Sequence, residues 1–92
     1  MTNLTSGTRV LVTGASSGLG LAFAQQLAAA GCRVLATDVH AEAPAELADL
    51  ADVTYLQLDV TQDAHWDRAH TWVVEHFDGL DVLFNNLSLI HI

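Results

Sequence analysis

Ninety-two residues make one small domain at most, a size at which folding buries roughly 60–65% of the surface that the unfolded chain exposes. Eleven acidic residues against three arginines and no lysine give a formal charge of −8. That balance argues against a nucleic acid or an anionic membrane as partner, because both require a positive patch. The lone Cys32 excludes an internal disulfide and reads as a small buried apolar side chain.

The elements follow in chain order. Arg9–Thr13 (RVLVT) is a short β-branched run that ends at a glycine, the pattern of a buried strand. Residues 18–30 are nearly all apolar or strong helix formers, and Gly31 stands where a C-terminal cap glycine belongs. Arg33–Asp38 (RVLATD) is a second strand, residues 43–50 a short helix with Pro44 in its first turn, and residues 53–60 a third strand. Thr61 has the chemistry of an N-cap for a longer helix over 62–77, whose Trp66, Ala69, Val73 and Phe77 recur at helical spacing. Both tryptophans, Trp66 and Trp72, are expected to pack rather than to stack on bases. Gly79 ends that helix, and residues 80–84 form a fourth strand. An apolar fraction of 51% suits strands covered on both faces.

Strand–helix alternation with short breaks implies parallel strands joined by right-handed crossovers. The expected fold is α/β, the N-terminal half of a Rossmann-like doubly wound parallel sheet in strand order 3-2-1-4. A ligand then lies across the C-terminal ends of the strands, where the candidate site residues fall. The first turn carries Gly14, Gly18 and Gly20. Backbone N–H groups at a helix start lack internal partners, and the helix dipole places roughly +0.5 charge there. A diphosphate answers both, provided side chains stay clear: Gly14 permits the tight turn, Gly18 the close approach and Gly20 the packing of helix on strand. Asp38 ends the second strand, where an acid accepts both ribose hydroxyls of NAD and repels the 2′-phosphate of NADP. No base stands nearby to compensate, Ser17 and Val39 being neutral. Asp59 and Val60 close the third strand, and Asn85 and Asn86 follow the fourth. Each taken singly is an ordinary turn residue, but together they gather polar groups at adjacent strand ends.

Thr13-Gly14-Ala15-Ser16-Ser17-Gly18-Leu19-Gly20 resembles the TGxxxGxG signature of the short-chain dehydrogenases/reductases. Asp38, Leu58-Asp59-Val60-Thr61 and Asn85-Asn86 are similar to its later markers, so the likeness runs over residues 8–86, and the glycine spacing is that of the ~250-residue branch. The resemblance implies that Ser16, Ser17, Gly18 and Leu19 hold the pyrophosphate and Asp38 the adenosine ribose. It implies that Asp59 and Val60 contact adenine, and that Asn85 and Asn86 border the nicotinamide-side ribose. It further implies NAD as cofactor, hydride exchange with a small alcohol or carbonyl compound, and a homo-oligomeric parent protein.

The catalytic half of that pattern is absent. The family uses a tyrosine, a lysine four residues later and a serine, whereas this chain has no lysine and its one tyrosine, Tyr55, lies within the third strand. No catalytic residue is therefore assigned, and residues 1–92 are expected to be inactive. No metal site is expected either: His65, His70 and His76 share a helix without the i, i+4 spacing of a zinc pair. Where the family has Ala-Gly after the asparagines, Leu87 and Ser88 stand here. Residues 87–92 are what CTG TCT CTT ATA CAC ATC encodes, which resembles a transposon-end adapter used in preparing sequencing libraries. The natural gene is expected to continue past Asn86, with residues 1–86 the N-terminal part of the dinucleotide-binding domain and residues 87–92 a non-native tail. The N-terminal residues carry no basic or apolar run, and no stretch nears the ~20 apolar residues that span a bilayer, so the expected location is the cytoplasm. Two other functions fit the residues: a non-catalytic nucleotide-sensing module, and an interaction protein with no ligand.

Overall fold

A computed structural model describes residues 7–85. Its elements are β1 (Arg9–Thr13), α1 (Gly18–Ala29), β2 (Arg33–Asp38), α2 (Ala45–Ala48), β3 (Val53–Gln57), α3 (Asp63–His76) and β4 (Val82–Asn85). The strands form one parallel sheet in the order β3-β2-β1-β4, the topology that the alternating pattern implies.

Alternate side chains of each strand feed two separate cores. Val10, Val12, Val34 and Ala36 face α1 and α2, where Ala24, Leu27 and Leu47 complete the packing. Leu11 and Leu35 face the opposite side, with Leu58 and the Ala69, Val73 and Phe77 stripe that closes α3 onto the sheet. Leu35 is wholly buried, and burying a leucine contributes roughly 1.5–3 kcal/mol, so this position supports both the sheet and α3. Cys32 is buried, and desolvation raises its thiol above the ordinary value, as expected of an inert packing residue.

The helix ends are closed by identifiable chemistry. Gly31, at φ 88°, donates to the Ala28 carbonyl while the Cys32 N–H reaches that of Leu27, the paired bonds of a Schellman cap. At the far end of α3, Asp78 and Gly79 both adopt positive φ. Arg9 donates to the carbonyls of Phe77 (2.9 Å) and Asp78 (3.2 Å), and Arg33 to that of His76 (3.0 Å). Register places Arg9 directly beside Arg33, and the negative end of the α3 dipole compensates that pairing of like charges. Arg9 also pairs with Asp81, which fastens the start of β4 to β1.

Several boundaries differ from the sequence reading; β4 runs Val82–Asn85 rather than over 80–84, and α3 runs Asp63–His76 rather than over 62–77. The third strand stops at Gln57 rather than at residue 60, because Asp59 starts a turn of its own. The N-cap of α3 is Gln62, not Thr61, whose hydroxyl donates to Asp59 instead of to the helix. The second helix contracts to one turn behind Pro44, which sits at its N-cap rather than inside it. Among the described residues no helix is long and apolar enough to cross a membrane.

Candidate dinucleotide site

The site is built where β1 hands over to α1. Gly14 takes φ 65°, Ser17 is extended and Gly18 takes φ 58°, so the chain reverses sharply between strand and helix. Two contacts to β2 brace this turn: the Ala15 N–H donates to the Thr37 carbonyl (2.9 Å), and the Ser16 N–H donates to Asp38 Oδ2 (2.9 Å). Thr37, fully buried, returns its hydroxyl to the Val12 carbonyl. The first turn of α1 has no side-chain cap and no acidic residue, and its bonding begins with the Leu21 N–H on Ser17. The N–H groups of Gly18, Leu19 and Gly20 thus have no acceptor within the helix. A Cβ placed on Gly18 meets nothing within 4 Å, so the space over the turn is open. Gly20 is buried against the sheet, consistent with close helix-on-strand packing.

Asp38 is half-buried at the end of β2 and accepts two backbone N–H groups, from Ser16 and from Val39 (2.7 Å). A carboxylate has about four acceptor positions, so two remain for a ligand. The Ser16 hydroxyl oxygen is buried without a hydrogen-bond partner and lies near the Tyr55 phenol. Burial pushes that phenol above its ordinary value; the Ser16 hydroxyl pulls the other way, and the Asp38 charge adds to the rise. Across the sheet, the Thr13 hydroxyl donates to Asn85 Oδ1 (2.7 Å), which ties the ends of β1 and β4 together. Asn86 lies outside the described residues.

Asp59 and Val60 lie past the strand end, on a turn facing the same edge. Asp59 Oδ1 accepts the Thr61 N–H and hydroxyl, and these bonds hold its carboxyl below the ordinary value. Two residues of α3 that sequence reasoning did not connect to the site fix this turn. His65 Nδ1 accepts the Asp59 N–H (2.9 Å), which requires the neutral ring, and Trp66 Nε1 donates to the Val60 carbonyl (2.9 Å). Tyr55 and Gln57 were also missed; their spacing of two on one strand, beside the loop after Asp38, is the signal that could have found them. Among the described residues no three metal-ligating side chains converge.

These groups gather over the C-terminal strand ends, with backbone donors that the helix leaves unbonded at the centre and a fixed carboxylate at one side. The chain is 38% identical to a 2,5-dichloro-2,5-cyclohexadiene-1,4-diol dehydrogenase of Sphingobium indicum, over 99% of this chain and 38% of that protein. It is 39% identical to a 3-alpha-(or 20-beta)-hydroxysteroid dehydrogenase of Mycobacterium tuberculosis, over 94% of this chain and 34% of that one. The chain thus spans little more than a third of the length of these curated relatives. A menthone neomenthol reductase structure from Mentha piperita superposes with a TM-score of 0.79 at 26% identity, over 92% of this chain and 33% of the other. The family model described as short chain dehydrogenase matches residues 8–91, nearly the full length. On glycine turn, strand order and relatives alike, the chain belongs to the short-chain dehydrogenase family.

Proposed function

We propose that residues 1–86 are the cofactor-binding part of an oxidoreductase that moves a hydride between NAD(H) and the hydroxyl- or carbonyl-bearing carbon of a small molecule. The observation that carries this reading is Asp38, held by the Ser16 N–H at the mouth of the glycine turn with two acceptor positions free. The open space over Gly18 and the orphaned Ser16 hydroxyl fit a polar, phosphate-bearing ligand. Ser16, Ser17, Gly18 and Leu19 would hold the pyrophosphate, Asp38 the adenosine ribose, Asp59 and Val60 the adenine, and Asn85 and Asn86 the nicotinamide-side ribose. When bound, the nicotinamide supplies or accepts the hydride.

Asp38 disfavours a 2′-phosphate, so NAD is the preferred cofactor. The relatives act by name on a cyclic diol and a hydroxysteroid, which supports a hydroxylated carbon as the reacting centre. The tyrosine, lysine and serine of the family's chemistry would lie in a longer, homo-oligomeric parent, and residues 87–92 are read as translated adapter. Titration of the 92-residue chain with NADH and NADPH, followed by nicotinamide fluorescence, tests the reading. NADH is expected to bind more tightly with no turnover of alcohols. Equal or tighter NADPH binding, or turnover by the chain alone, contradicts it.

A further inference from the structure

Asp38 is the last member of a short relay of hydrogen bonds that starts on β3. Register sets Ala36 beside Tyr55 and Asp38 beside Gln57, so both β3 side chains flank the loop that leaves β2. The Tyr55 hydroxyl donates to the His40 carbonyl (2.6 Å), and Gln57 Nε2 donates to the Val39 carbonyl (2.9 Å). Val39, held in this way, turns its N–H onto Asp38 Oδ1 (2.7 Å), while Ser16 holds Oδ2 from the other side (2.9 Å). Each carboxylate oxygen thereby spends one acceptor position on backbone and keeps one, the number that two vicinal hydroxyls require.

We propose that Tyr55 and Gln57 are positioning residues for cofactor choice: by clamping Val39 and His40 they hold the Asp38 carboxylate facing the ribose. This deepens, and rests on, the reading of Asp38 as the ribose acid. A carboxylate on a free side chain can rotate away from an approaching 2′-phosphate and so relieve the repulsion. Held by N–H groups on both sides, it cannot. Discrimination against NADP therefore depends on the clamp as well as on the charge, and releasing the clamp weakens NADH binding while easing the entry of NADPH.

The test uses Tyr55→Phe, which removes only the hydroxyl, and Gln57→Met, which keeps size and removes the donor without adding charge, singly and together in the full 92-residue chain. The ratio of the NADPH to the NADH dissociation constant is expected to fall about tenfold in the double variant, in line with the loss of one or two net hydrogen bonds. A ratio within twofold of wild type, with both affinities reduced alike, shows a merely structural role and overturns the proposal. Amide exchange at Val39 and Ser16, measured without nucleotide, reads the clamp by itself. Protection is expected to drop at both amides in the double variant, and unchanged protection overturns the clamp. If the wild-type chain binds neither nucleotide, the proposed function fails, while the exchange result still decides whether the clamp exists.

Discussion

Gly18→Ala separates the stability of the glycine turn from its capacity to bind. Gly18 sits at φ 58°, and a left-handed conformation costs a non-glycine residue roughly 1–2 kcal/mol. Nothing lies within 4 Å of the added Cβ, so no clash adds to that backbone cost. For a domain of this size, each kcal/mol moves the midpoint by about 4–8 °C, which gives a fall of about 4–16 °C in thermal unfolding followed by circular dichroism. The same methyl occupies the open space through which a pyrophosphate would reach the N–H groups of Gly18 and Leu19. NADH affinity, measured well below the variant's midpoint, is expected to fall at least tenfold through loss of one or two charge-assisted hydrogen bonds. A variant that melts earlier yet binds NADH within twofold of wild type would refute the placement of the pyrophosphate at this turn.

Other consequences follow from the same geometry. Arg9 holds the Asp81 carboxyl down to about 2 from an ordinary 3.8, so the stabilisation from this pair is fully present above pH ~4 and is lost as the pH falls through about 2. Asp81→Asn is expected to flatten that part of the acid-unfolding curve, and an unchanged slope there would count against the pairing. Leu83 is half-exposed on β4, an edge strand of the sheet among the described residues, beside an apolar groove of about 300 Å³ that Leu11, Val73 and Leu80 help to line. Such an edge favours self-association, and Leu83→Lys is expected to reduce it in light scattering at constant midpoint. Wild-type chain that stays monomeric at high concentration would contradict this. Leu35→Ala removes a side chain buried between β1, β3 and α3 and is expected to cost about 2–5 kcal/mol, enough to abolish cooperative melting in a domain this small.

Much of the fold was legible because single residues carried the signals. β1 and β2 end where their apolar runs end, and Gly31 closes α1 with the cap its position implied. The strand order followed from alternation and handedness alone. Boundaries failed where a side chain had two possible partners. Thr61 was read as a helix cap, but Asp59 stands two residues before it and takes its hydroxyl, which shortens β3 and moves the cap to Gln62. In the site, Asp38 and the glycines were identifiable from spacing. Tyr55, Gln57, His65 and Trp66 were not, because each bonds to a backbone carbonyl or N–H whose position no residue type announces. His65, which spacing excluded only as a zinc ligand, positions Asp59 through a ring-nitrogen lone pair.

The most direct test of the central claim is the affinity of wild type and Asp38→Asn for NADH and NADPH, read through nicotinamide fluorescence. Asp38 is half-exposed, so the repulsion of a 2′-phosphate lies between the values for bulk water and for a protein surface, about 1–3 kcal/mol. Removing the charge is expected to raise NADPH affinity relative to NADH by about five- to 150-fold. An unchanged ratio would show that Asp38 does not face the ribose, and that the groups over the strand ends do not select NAD.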